Sequence, residues 1–191
     1  MYGKNLRFLI VAVLAIIVLV IAIIVIILNS SKVSHSVYVR PLASYASNPT
    51  TNVSMLIDGP ETSSSNHNQV LINVNNSTVT INAYVGYNNK LLNFETFPNT
   101  EASFHVFLRS LEFSQFNVGS SSTSLSQASG FCPQGDRYIF STSIDNHQTQ
   151  RYWITNCSGL QHTFNGNFNL TYSQFIGQIP NYYTFVNNLN I

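Results

Sequence analysis

An unbroken apolar run near the N-terminus, residues 8–28, constrains this chain more than any other feature of its sequence. The run contains 21 residues without a Gly, Pro, polar or charged side chain. As a helix it would be about 31 Å long, which matches the roughly 30 Å hydrocarbon core of a bilayer. We therefore predict a transmembrane helix over residues 8–28, with the lipid bilayer as one partner.

The residues that flank this run predict its orientation. Lys4 and Arg7 precede it, whereas only Lys32 follows closely. Because basic residues are enriched on the cytoplasmic side, residues 1–7 are expected in the cytoplasm and the C-terminal domain outside the cell, as in a single-pass signal-anchor protein of the cell membrane. A cleaved signal peptide is the competing interpretation, but such apolar regions are about 7–15 residues long and end in small residues. A type IV pilin-like leader is a third interpretation of the apolar run.

The polar remainder of the chain predicts a stalk followed by one domain. Residues 29–69 are rich in Ser, Asn, Thr and Pro and are interpreted as a stalk or linker, with short strands expected at 37–39 and 53–57. Residues 70–74 and 79–85 are rich in β-branched side chains with period-2 alternation. An Asn-Asn-Ser turn joins them, which predicts a hairpin.

Helical spacing replaces this alternation after residue 100. The pattern predicts a helix whose buried face is formed by Phe104, Phe107, Leu108 and Leu111. Strands are expected again at 138–140 and 152–154, and a short helix near 172–178. The predicted fold class of residues 70–191 is therefore α+β, mostly β: an extracytoplasmic antiparallel sheet packed with one or two helices.

The two cysteines of the chain, Cys132 and Cys157, predict a disulfide. Their sequence midpoint falls at the turn expected near Asp145, so a hairpin would bring them opposite each other. A copper site is the rival interpretation, since Cys157 and His162 have a suitable spacing and His105 lies upstream. No Met follows Cys157, however, and Cys132 would then have no partner.

Six asparagines begin Asn-x-Ser/Thr sequons, and all lie in the part of the chain that is expected to be external. Asn29 is one of them, and Asn156 adjoins Cys157. A glycoprotein is predicted, and the candidate glycosylation sites are Asn52, Asn75, Asn76 and Asn169.

Composition argues against several classes of function. Charged residues make up 8% of the chain, the formal net charge is +1, and no basic run suggests a nucleic-acid partner. A surface of neutral amides and hydroxyls should tolerate acid, as in an acidophile. No nucleophile-elbow, phosphate-loop or dinucleotide motif is present, and the five His residues are isolated in sequence. We therefore predict a protein without a catalytic site, a metal or another cofactor.

The order of elements from Val70 onward carries a resemblance. A hairpin is followed by the helix with Phe104 and Phe107, then by a Tyr-rich hairpin over residues 137–153 and a final helix. This layout resembles the emfourins, small secreted inhibitors of thermolysin-type metalloproteases. The resemblance implies a protease inhibitor, which in this chain would be membrane-tethered.

The hypothesis favoured by the sequence is a non-catalytic binding or scaffolding protein of the cell envelope. Its expected partners are other envelope proteins or glycans. The alternatives are the tethered protease inhibitor and an unrecognised hydrolase whose catalytic groups meet only in the fold. Four aromatic residues are candidates for the binding surface: Tyr152, Trp153, Tyr182 and Tyr183.

Overall fold

The computed structural model describes residues 16–21, 41–120 and 127–191, and the chain divides into two units, 1–39 and 40–191. In the first unit, residues 16–21 are helical. Across the described residues, no helix has the length and apolar character needed to cross a bilayer.

This finding contradicts the predicted transmembrane helix over residues 8–28. The predictions of a signal-anchor and of a single-pass location, with a cytoplasmic N-terminus and an extracellular domain, are wrong with it. The remainder of the apolar run, residues 8–15 and 22–28, lies outside the described residues, as does the strand expected at 37–39.

The second unit is built on one six-stranded sheet in which every neighbouring pair is antiparallel, in the order β4-β3-β2-β1-β5-β6. The strands are β1 (Asn52–Asp58), β2 (Asn68–Val74), β3 (Thr78–Val85), β4 (Lys90–Pro98), β5 (Arg137–Ile144) and β6 (His147–Thr155). The predicted hairpin is β2–β3. Its turn is closed by the side-chain Oδ1 of Asn75, which accepts from the Ser77 and Thr78 N–H groups.

Residues 41–69 do not form a stalk. The strand expected at 53–57 is β1, which lies between β2 and β5 inside the sheet. A 3₁₀ turn, Leu42–Tyr45, precedes it and buries Leu42 and Ala43 in the core. The polar composition of this segment reflects loops and one sheet face, because β1 buries only alternate side chains.

Three helices accompany the sheet: α1 (Glu101–Phe113), α2 (Phe168–Ile176) and α3 (Tyr182–Val186). The helix predicted after residue 100 is α1, and its N-cap, Thr100, accepts a hydrogen bond from the Ser103 N–H. The four residues of its predicted apolar face are all buried. They pack on the alternate buried residues of β1, β2 and β3, and so form the main core.

A smaller cluster covers part of the opposite face of the sheet. Ile139 and Trp153 are neighbours on β5 and β6, and Phe131 and Ala128 from the preceding loop pack over them. This packing brings the loop to the ends of β5 and β6. There Cys132 and Cys157 form the predicted disulfide, with 5.8 Å between their Cα atoms.

The β5–β6 hairpin turns at Asp145 and Asn146, whose φ angles of 53° and 63° are typical of a type I′ turn. The Thr50 hydroxyl and the Asn48 amide donate hydrogen bonds to the Asp145 carboxylate, at 2.5 and 3.4 Å. These hydrogen bonds lower the pKa of Asp145 below its usual 3.8.

Reduction of the disulfide should lower the free energy of unfolding by about 3–4 kcal/mol, because the bond restricts the unfolded chain. Denaturant titration with and without reductant measures this loss. The double variant C132A/C157A is the control and should not respond to reductant. An unchanged midpoint for the reduced protein would contradict a stabilising bond.

The stabilising effect of Asp145 should depend on pH. A carboxyl with a lowered folded pKa stabilises the protein above its usual pKa and loses that contribution as the pH falls through the folded value. Asp145→Asn should therefore unfold at a lower temperature than the unsubstituted protein at neutral pH, and the two unfolding temperatures should converge as the pH falls below the folded pKa of Asp145. A difference that stays constant with pH would refute this role.

Candidate functional site

The four aromatic residues predicted to bind a partner do not form one surface. Trp153 and Tyr182 are 0% and 4% exposed, so both belong to the interior. Burial raises the pKa of the Tyr182 phenol above its ordinary value. Tyr152 is partly buried against the core, and only Tyr183, at 71% exposure, presents most of its ring to solvent.

The four candidate glycosylation sites differ in how accessible their amide nitrogens are. The Nδ2 atoms of Asn52 and Asn76 donate hydrogen bonds, to Asn73 Oδ1 and to the Ala46 carbonyl. In Asn75 only Oδ1 is engaged, and Asn169 is exposed on α2. Asn75 and Asn169 are therefore the better candidates for glycan attachment, and glycosylation stays a prediction.

A buried arginine organises the end of the sheet where β1 and β3 finish and β2, β4 and β5 begin. Arg137 is 1% exposed, and its guanidinium donates to Asp58 Oδ2 at 2.9 Å, Glu61 Oε1 at 2.6 Å and the Gly59 carbonyl at 2.7 Å. Two of these bonds hold the start of the 59–67 loop. Glu61 also accepts from the Gly130 N–H and so ties the disulfide loop to the same centre.

His67 completes this cluster and is 1% exposed. Its Nε2 lies 3.1 Å from Asp58 Oδ1, and its Nδ1 lies 3.0 Å from the Pro60 carbonyl. Both partners are acceptor oxygens, so each ring nitrogen already faces a partner within the cluster. Neither nitrogen is left to activate a nucleophile, and the pair therefore does not have the arrangement of a hydrolase triad.

Asp136 is a second carboxylate near the disulfide. Burial raises its pKa, against the opposing hydrogen bond from the Tyr138 hydroxyl and the nearby charge of Arg137. The Asn156 amide also donates to it, at 3.1 Å. Within the residues that the structure describes, no group of three or more His, Cys, Asp or Glu side chains is placed to hold a metal ion.

A groove opens at the same end of the sheet, beside this cluster. We call it the end groove; its volume is about 830 Å³, and its walls come from the 59–67 loop, the β3–β4 turn and the C-terminal residues. Lys90 is its one charged lining residue. Of the other eleven lining residues, four are apolar or Gly, namely Val85, Gly86, Leu92 and Leu189, so that apolar atoms form slightly more of the lining surface than polar atoms do. The remaining seven are neutral and polar: Ser64, Ser65, Asn66, Asn68, Asn88, Asn188 and Asn190.

Three of these asparagines leave their amides available. Asn88, Asn188 and Asn190 are exposed, and in the described part of the chain their side chains make no hydrogen bond. Asn68 has a structural role instead, since its Oδ1 accepts from the Asn190 N–H at 2.9 Å and fixes the C-terminal wall.

An immobilised aromatic residue lies in sequence between two residues that line the end groove, without lining it itself. Tyr87 follows Gly86 and precedes Asn88, and its ring is 54% exposed. It stacks on the buried His67 ring at a centroid distance of 4.3 Å, and its hydroxyl donates to the Thr62 carbonyl. The ion cluster therefore positions both the 59–67 wall and this ring. Sequence inspection missed these residues because they lie on separate loops.

Replacing Arg137 by Met should destabilise the protein strongly, because Asp58 and Glu61 would lose their cationic partner. Breaking a buried pair costs about 3–5 kcal/mol. Since the Asp58 and Glu61 side chains are 16% and 32% exposed, we expect the lower part of that range. Chemical unfolding measures the loss. Arg109→Met, at an exposed position on α1, is the matched control and should change stability by less than about 0.5 kcal/mol; equal losses would contradict the role of Arg137.

Comparison with known proteins adds no functional assignment to this geometry. No protein-family model matches the chain, and no curated protein is significantly similar to it. The resemblance to emfourins therefore stays a prediction, and the chemistry of the end groove is the basis for a functional proposal.

Proposed function

We propose that this protein is a non-catalytic binding protein whose end groove takes a neutral glycan. The observation that carries the proposal is the set of three unused amides, Asn88, Asn188 and Asn190, around a groove with a single charge. Each amide offers two donors and an acceptor, and sugar hydroxyls both donate and accept. A neutral polyhydroxylated ligand satisfies such a lining better than an ion does.

The shape and rigidity of the site support the same ligand class. A volume of about 830 Å³ is within the range of small-molecule sites and would hold a short oligosaccharide. Tyr87 does not line the end groove but is the chain neighbour of Asn88, which does. Its partly exposed ring is held by its stack on His67, so little conformational entropy would be lost if a sugar extending from the groove packed on it. The lone Lys90 does not form the cationic cluster that recognises polyanions.

Binding should be measured by calorimetry with neutral oligosaccharides of glucose, mannose and N-acetylglucosamine, and with a heparin fragment as the anionic comparison. We expect binding of at least one neutral oligosaccharide. The double variant N88A/N188A should weaken it about tenfold, because two hydrogen bonds are lost at about 0.5–1.5 kcal/mol each.

Asn169→Ala is the matched control, since Asn169 is exposed on α2 and does not line the end groove. The affinity of this variant for the oligosaccharide should equal that of the unsubstituted protein. The proposal fails if no neutral oligosaccharide binds at millimolar concentration, if only heparin binds, or if N88A/N188A and N169A behave alike.

A further inference from the structure

β4 is an edge strand whose outer side has no strand partner among the described residues. Nearly all of its side chains are exposed, including Leu91 at 48% and Phe94 at 60%. Unpaired edges of this kind invite another strand, and proteins protect them with charges and bulges unless a partner is intended. β4 carries a lysine and a bulge, but it also exposes the apolar side chains of Leu91 and Phe94, so its edge is only partly protected.

The bulge places two opposite charges on one face of β4. Asn93 pairs with Ala83 and Leu91 pairs with Tyr84, so Leu92 is the extra residue.

Glu95 pairs with the buried Ile81 and Lys90 pairs with Val85; Ile81 and Val85 are an even number of residues apart on β3 and so lie on the same face of the sheet. Without the bulge, residues five apart would lie on opposite faces. With it, Lys90 and Glu95 share the helix-covered face, one on each side of Asn93.

Phe94 and Leu91 share the other face. Phe94 pairs with Asn82 and Leu91 with Tyr84, which alternate with the buried residues of β3. The strand is therefore self-complementary about Asn93. When an antiparallel copy is centred there, Glu95 meets Lys90 of the copy and Phe94 meets Leu91 of the copy, and each pair occurs twice.

We propose that β4 pairs with β4 of a second copy, antiparallel and centred on Asn93, to form a two-fold dimer with a continuous twelve-stranded sheet. The interface is isologous, so each contact on one protomer is repeated on its partner. Opposite charges and an aromatic–aliphatic pair are the cross-strand contacts that stabilise such a ladder. A partner strand of another sequence would leave Lys90 and Glu95 without an opposite charge. A second copy of β4 supplies both charges by symmetry, and we therefore infer that it is the partner.

Charge reversal tests the register through the mass of the full-length chain in sedimentation equilibrium. Lys90→Glu alone and Glu95→Lys alone place like charges opposite each other, so each should weaken dimerisation at least tenfold. An equimolar mixture of the two variants restores opposite charges in a heterodimer and should recover the dimer. Unreduced dimerisation of the single variants, or no recovery in the mixture, overturns the proposal.

Cysteine cross-linking provides a second readout. Asn93→Cys places two thiols on the two-fold axis, where Cα atoms of facing residues are about 4.5–5.5 Å apart and a disulfide can form. Thr96→Cys is the matched control on the same strand, since its copies would be roughly 20 Å apart. Covalent dimer from N93C but not T96C is expected. Monomer in both, or dimer from T96C, overturns the proposal; either result leaves the glycan proposal standing, because mass is read without ligand.

Discussion

The guanidinium of Arg137 is the interaction on which the functional end of this domain depends. It joins the first residue of β5 to the last residue of β1 and to the loop that follows β1. That loop supplies one wall of the end groove, and through His67 the same cluster supports the ring of Tyr87. The rigidity of the groove therefore originates in a charge cluster that does not itself line it.

The parts of the fold that local patterns encode could be predicted from the sequence. The β2–β3 hairpin, α1 and the Cys132–Cys157 bond follow from alternation, helical spacing and a turn midway between the cysteines. β1 was harder to place, because it pairs with β5 across about eighty residues and is surrounded by polar loops. The prediction of a transmembrane helix at the N-terminus rested on the length of the apolar run alone, and it is contradicted because no helix among the described residues could cross a bilayer.

The candidate site was not predictable by the same means. Arg137 and its partners Asp58 and Glu61 are 79 and 76 residues apart, and the end groove draws on three separate segments. No spacing rule links such residues. The few charges of the chain include the buried cluster of Arg137 with Asp58 and Glu61, which no local pattern indicated.

The side-chain amide resonances of Asn88, Asn188 and Asn190 provide the most direct measurement of the central claim, that the end groove binds a neutral glycan. Their NMR shifts should be followed while a neutral oligosaccharide is added. The account predicts saturable shifts of these three amides, and of the Tyr87 ring, with the Asn169 amide unchanged. Absence of shifts, or shifts confined to residues outside the end groove, would contradict it.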